Sequence, residues 1–139
     1  MKRIIALLGF KNSGKTILAG KWSTNNNVSF ITPIKNPLIK REDYLASTVV
    51  NGDVYAFYEA QLVNDFNVLI ADDYILSELL TNYPHTYGVW VDNPKAEASE
   101  RVNVMYSKQD FNYIFNYGLD DPDEWLEQFA IDVEMLQNG

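Results

Sequence analysis

At 139 residues, with 47% apolar and 22% charged side chains, the chain has the make-up of a globular protein and the length of one domain, 1–139. It has no cysteine, which excludes disulfides and thiolate zinc sites and fits a cytoplasmic setting, and no apolar run is long enough to cross a membrane. A net charge of −8 argues against nucleic-acid binding, but the charge is uneven: residues 1–41 carry eight Lys or Arg and no acid, whereas 42–139 carry three and all nineteen acids.

The chain opens on an apolar run, Lys2–Leu8, that reads as a buried strand. Its first residues imitate a signal peptide, but the apolar stretch stops at Gly9. There begins Gly9-Phe-Lys-Asn-Ser-Gly-Lys-Thr16, which fits G-x-x-x-x-G-K-[ST], the phosphate-binding P-loop. Gly9 and Gly14 allow a tight turn that brings backbone N–H groups to an anion. Lys11, Asn12 and Ser13 lie inside the turn, Lys15 reaches outer phosphates, and the Thr16 hydroxyl is placed to hold Mg²⁺. The helix expected after it, to about Ser23, aims its N-terminus at the same anion. A basic segment holding such a loop focuses a positive field on small phosphorylated ligands.

Asn25-Asn-Asn27 is a turn and Val28–Ile31 a short strand. Two prolines keep 32–37 extended. Over 41–51 the spacing of Tyr44, Leu45, Thr48 and Val49 predicts a helix, closed by Asn51-Gly52. Val54, Phe57, Tyr58 and Leu62 favour a helix over 54–66, although the aromatic and β-branched content also admits a strand. Residues 67–71 form an apolar strand ending in Asp72 and Asp73. A carboxylate at such a strand end suits a metal site; Asp72 is the better candidate and Asp73 the second, while an Asp here also suits the cap of the next helix. Ile75, Leu76, Leu79 and Leu80 give that helix its apolar face. Thr86–Val91 is a strand, Pro94 opens a helix carrying Glu97, Glu100 and Arg101, and Phe111–Phe115 is the last strand. Asp121-Pro-Asp-Glu124 starts a final helix, with Trp125, Phe129, Val133 and Leu136 inward. Strands alternating with helices predict an α/β fold, a mostly parallel sheet with helices on both faces.

On these segments the chain resembles the P-loop nucleoside monophosphate kinases, guanylate kinase most closely. Gly9–Thr16 is similar to the family's ATP loop. Thr32-Pro-Ile-Lys-Asn-Pro37 resembles its Thr-Thr-Arg-x-Pro-Arg monophosphate segment, with Lys35 at the first Arg. Asn51–Glu59 resembles the stretch lining the guanine site, Val68–Asp72 the Walker-B strand, and Asp110–Asn116 the ending Tyr-Asp-Tyr-x-Ile-x-Asn. The resemblance implies ATP and Mg²⁺ as cofactors and transfer of the γ-phosphate to a nucleoside or deoxynucleoside monophosphate. It implies nucleotide contacts from Gly9, Lys11, Asn12, Ser13, Gly14, Lys15 and Thr16, a metal held by Thr16 and Asp72, catalytic roles for Lys15 and Arg101, and acceptor contacts from Lys35, Arg41, Tyr58 and Glu59 within a reduced region, 33–66.

For each acceptor residue a plainer fate stands beside the functional one. Lys35, Lys40 and Arg41 also read as a basic exposed loop, Tyr44, Tyr55 and Tyr58 as core aromatics, Glu59 as a solvated carboxylate, and Arg101 as the helical partner of Glu97. The chain is shorter than a full guanylate kinase, and its only arginines are Arg3, Arg41 and Arg101. Arginine clamps supply much of the rate in phosphoryl transfer. Two alternatives therefore stay open: a nucleotide-binding module with little catalysis, acting on a partner, and a kinase for a non-nucleotide metabolite.

Overall fold

The computed structural model describes residues 1–96 and 105–138. In chain order its main elements are β1 (Arg3–Leu8), α1 (Lys15–Trp22), β2 (Val28–Phe30), β3 (Ile34–Lys35), β4 (Tyr44–Val50), β5 (Asp53–Tyr58), β6 (Phe66–Ile70), α2 (Asp73–Asn82), β7 (Thr86–Asp92), β8 (Tyr113–Asn116) and α3 (Pro122–Asn138).

Every residue of β1 is buried, as an apolar strand without alternation requires. Ile4, Ala6 and Leu8 face one side and Ile5 and Leu7 the other. β6 and β7 flank it in parallel, with Leu7 opposite both Ile70 and Val89. β2 lies outside β6 and β8 outside β7, giving a parallel sheet in the order β2-β6-β1-β7-β8. α2 covers the Ile4 side through Ile75, Leu76 and Leu79. α1 and α3 cover the Ile5 side through Leu18, Trp22, Leu126, Phe129 and Val133. The expected α/β architecture, a mostly parallel sheet with helices on both faces, is what the chain forms.

Aromatic stacking joins α1 to α3. Trp22 stacks on Trp125 with ring centroids 5.4 Å apart, and Trp125 on Phe129, also at 5.4 Å. The Trp22 indole donates to the Pro122 carbonyl at 2.9 Å. Asp121 caps α3 as its sequence predicts, accepting from Glu124 N at 3.0 Å. The buried stripe differs in one place: Leu126 faces the core and Leu136 is exposed. Leu80 of α2 is likewise exposed.

The helices expected over 41–51 and 54–66 are strands. After a 3-10 turn, Arg41–Asp43, the chain enters β4, which pairs antiparallel with β5; β3 lies on the other side of β5. Asn51 and Gly52 both have positive φ, 52° and 84°, and join Val50 to its partner Asp53. Asn-Gly between β-branched residues is the strongest short hairpin signal, and here it is a turn rather than a helix stop. A bulge between Tyr44 and Ala46 breaks the period-two pattern and leaves a spacing that mimics a helical face.

This small sheet leans on α2. Asn82 Nδ2 donates to Leu45 O at 2.9 Å and Ser47 N to Glu78 Oε1 at 3.4 Å, so β4 runs from the last turn of α2 toward its first. The final strand is Tyr113–Asn116, and Phe111 instead packs on Trp90, centroids 5.6 Å apart. Pro94 opens a 3-10 turn, Pro94–Ala96; Glu97, Glu100 and Arg101 lie outside the described residues. No helix among the described residues is long and apolar enough to cross a membrane.

Candidate functional site

The loop between β1 and α1 sits at the C-terminal edge of the parallel sheet, where α/β folds place their ligands. Its glycines are demanded by geometry. A Cβ on Gly9 would lie 2.7 Å from Val91 O, so the loop presses on β7. Gly14 has φ +99°, and a Cβ there would lie 2.4 Å from the Tyr117 ring. Asn12 also has positive φ, 63°, a conformation Asn tolerates better than most residues. The Ser13 side chain is buried, Ser13 N donates to Phe10 O at 3.2 Å, and Asn93 Nδ2 donates to Ser13 O at 3.3 Å. α1 begins at Lys15 with no acid in its first turn, so the positive end of the helix points at the loop.

Lys15 turns back across this loop. Its ammonium donates to Phe10 O at 2.8 Å, Gly9 O at 3.1 Å and Ser13 Oγ at 3.3 Å. Lys11, Asn12 and Thr16 are exposed. The chain thus places one ammonium and the start of a helix at one short glycine-flanked turn, an arrangement that attracts anions.

The end of β6 lies beside the loop, because Ala71 N donates to Leu7 O at 3.0 Å. Asp72 Oδ1 accepts from Ile75 N at 2.7 Å and caps α2, while its other oxygen has no partner among the described residues. Asp73 is fully buried and accepts from the backbone N–H groups of Met105 and Tyr106. Of the two acids, Asp72 alone offers an accessible carboxylate oxygen. The Thr16 hydroxyl is exposed, and both groups are hard oxygen donors of the kind Mg²⁺ prefers. No group of three or more His, Asp or Glu side chains among the described residues is placed to hold a metal, so a Mg²⁺ here would take its other ligands from phosphate and water.

The four expected acceptor residues separate. Arg41 and Glu59 line one cleft of about 490 Å³, together with Tyr44, Ser47, Glu78 and Asn82. Tyr58 does not line it. Lys35 is exposed on the hairpin and pairs with Asp53 at 3.6 Å. Glu78 and Asn82 lie roughly 7 to 13 Å along α2 from its first turn, at 1.5 Å per residue. The Arg41–Glu59 cleft therefore lies toward the end of α2 remote from the loop. Glu42 and Asp43 also border it, so carboxylates outnumber its single guanidinium. Burial, with the Glu59 carboxylate adding, pushes the nearby Tyr83 phenol above its ordinary value.

Three residues that sequence reasoning passed over touch the loop or its edge: Asn93, Tyr117 and Lys108. Asn93 follows a strand and precedes a proline, a place where a side chain commonly satisfies nearby backbone. Nothing in the sequence singles out Tyr117. Lys108 Nζ pairs with Asp92 Oδ2 at 2.7 Å, at the end of β7.

The parallel sheet order, the strand-loop-helix at its centre and the acid at the neighbouring strand end define an α/β fold of the P-loop kinase type. A solved structure of similar fold is the guanylate kinase from Anaplasma phagocytophilum, with a TM-score of 0.56 over 98% of this chain and 86% of that one, at 11% sequence identity. No protein-family model matches the chain, and no curated protein matches it in sequence. At that identity the likeness is one of fold.

Proposed function

We propose that the protein transfers the γ-phosphate of ATP to a small acceptor, a nucleoside or deoxynucleoside monophosphate. The observation that carries this reading is the Lys15 ammonium, poised over the carbonyls of Gly9 and Phe10 at the start of α1. A fold shared with a guanylate kinase supports it.

In this reading the amides of residues 9–16 hold the polyphosphate and Lys15 leaves the loop carbonyls for the outer phosphates. Thr16 and Asp72 hold Mg²⁺, which when bound would neutralise phosphate charge. An acceptor phosphate oxygen forms the new bond to Pγ as the bond from Pγ to the β–γ bridging oxygen breaks, and ADP leaves with that oxygen. The acceptor is already an anion, so no side chain need remove a proton. Arg41 and Glu59 share a cleft whose chemistry suits one anionic group and one N–H-rich edge. Lys35 and Tyr58 have no place in that cleft. Arg101, the expected clamp on the transferring phosphoryl group, lies outside the described residues.

A second reading has its own observation. The Arg41–Glu59 cleft lies toward the end of α2 remote from the loop, which favours a nucleotide-binding module with little transfer. Isotope-traced transfer from ATP across a panel of monophosphates, beside calorimetric ATP binding, separates the two. Labelled product supports the kinase. Binding without product on any acceptor sinks it in favour of the module, and loss of binding altogether sinks both.

A further inference from the structure

Phosphoryl transfer needs cations around the moving phosphate, and this chain has few to give. Beyond Arg41 its only Lys and Arg residues are Lys95, Arg101 and Lys108. Of these, Lys108 is fixed at the loop's edge of the sheet by its ion pair with Asp92 at 2.7 Å. It opens a 3-10 turn, Lys108–Asp110, stiffened by Ser107 N donating to Asp110 Oδ2 at 2.8 Å. The segment carrying it is fastened at both ends. Asp73 accepts from Met105 N and Tyr106 N, beside the first turn of α2, and the Phe111 ring packs on Trp90 and Tyr106.

The side of the sheet is also settled. Trp90 and Asp92 lie two residues apart on β7 and so face the same way. The ring of Phe10, inside the glycine loop, meets Trp90 edge-on at 5.6 Å. Lys108 reaches Asp92 one strand step beyond that contact, toward the C-terminal edge. Its neighbours there are tied to the loop: Asn93 holds Ser13 O, and Val91 O abuts Gly9. The Lys108 side chain is about half exposed, so it is free to swing.

We infer that Lys108 contacts the terminal phosphate of the bound nucleotide, held ready by Asp92 until the more highly charged phosphate draws it over. The inference rests on the nucleotide-binding reading of the loop. A lysine serves there as a flexible point charge, in place of a forked arginine clamp. The contact is specific to the third phosphate, so it predicts a preference for ATP over ADP as well as a role in transfer.

The test uses the full chain with Lys108→Met, Lys108→Arg and Asp92→Asn. Calorimetry gives the affinity for ATP and for ADP with Mg²⁺, and isotope tracing gives transfer. In Lys108→Met the ATP affinity should fall by about 10-fold with ADP changed less than about twofold, and kcat should fall by roughly 100-fold with acceptor KM nearly unmoved. Lys108→Arg should recover most of both. Asp92→Asn breaks the ion pair but keeps the cation, and should keep the ATP preference. An unchanged ATP-to-ADP ratio in Lys108→Met overturns the inference. So does an equal loss for both nucleotides in Lys108→Met and Asp92→Asn with a lowered Tm, which marks the pair as a clamp on the fold. If the parent binds ATP but transfers nothing, the kinase reading fails, while the nucleotide ratio still decides Lys108. If the parent binds neither nucleotide, both fall.

Discussion

The ring of Tyr117 lies so close to Gly14 that a Cβ on the glycine would sit 2.4 Å from it. Two separate penalties meet at that position, the ring and a left-handed φ of +99°. Gly14→Ala should therefore lose nucleotide binding and lower Tm. In a Tyr117→Ala background the ring penalty vanishes but the backbone penalty, about 1–2 kcal/mol, remains. The double variant should recover part of the stability lost by Gly14→Ala and not all of it. Thermal melts of the four proteins check this, and full recovery would show that the backbone conformation costs nothing.

Asp72 has two possible duties, and one substitution parts them. Asn caps a helix about as well as Asp, so Asp72→Asn should keep the bond to Ile75 N and leave Tm within a degree or two. It removes the negative charge beside the loop, so the Mg²⁺ dependence of ATP binding should weaken by about 10-fold, on the order of one charge-assisted contact. Titrating Mg²⁺ against ATP affinity reads the outcome. An unchanged Mg²⁺ dependence would leave Asp72 as a cap alone. Asp72→Ala, by contrast, should also destabilise by about 1 kcal/mol.

Lys35 and Arg41 should differ sharply. Lys35 pairs with Asp53 on an exposed hairpin, and such pairs contribute about 0–1 kcal/mol. Lys35→Ala should leave Tm and acceptor KM nearly untouched. Arg41→Ala removes the only guanidinium from the cleft it shares with Glu59 and should raise acceptor KM by about 10-fold or more, as loss of a charged hydrogen bond does. Steady-state kinetics of both variants decide the matter; the opposite pattern would move the acceptor to the hairpin.

Trp22 is fully buried between the sheet and α3 and spends its indole N–H on Pro122 O. Trp22→Ala should cost about 3–5 kcal/mol, and Trp22→Phe much less, chiefly the orphaned carbonyl and the lost ring area. Urea denaturation measures both.

Alkaline pH should weaken the fold through two tyrosines. Burial, with Asp132 and Tyr87 adding, raises the Tyr113 phenol above its ordinary value, and Tyr83 is raised by burial and Glu59. A phenol whose folded value is raised holds its proton more tightly in the native state. Its contribution is complete below the ordinary value near 10.0 and is lost as pH climbs through the folded value. Urea midpoints should hold up to about pH 9 and fall above 10, and Tyr113→Phe should flatten that fall.

The parts of the fold that were readable from sequence share one physical cause. β1 and β6 are buried on both faces, so Ile4–Leu8 and Val68–Ile70 appear as unbroken apolar runs, and Asp121-Pro122 caps its helix with local chemistry alone. β4 was unreadable for the opposite reason. It buries only Leu45 and Ala46, bulges beside them, and exposes Val49 and Val50, so neither period dominates. Asn51-Gly52 held the correct information, as a turn between two strands. The site divides the same way. Lys15 and Thr16 are contiguous with the glycines and needed no tertiary knowledge, whereas Asn93 and Tyr117 reach the loop from 80 or more residues away, and Lys108 is brought beside it only through Asp92, by sheet pairing that no local pattern encodes.

That distance carries a kinetic consequence. Gly9 is braced by Val91 and the strand before it by residues 66–70, so the nascent N-terminal segment has nothing to fold against until most of the chain exists. Loop closures of this span slow the search for the native arrangement. A nucleotide added during refolding meets no finished cradle and cannot hasten assembly. The same molecule added to the native protein must be shed before the chain can come apart, so its benefit appears as longer survival rather than faster birth.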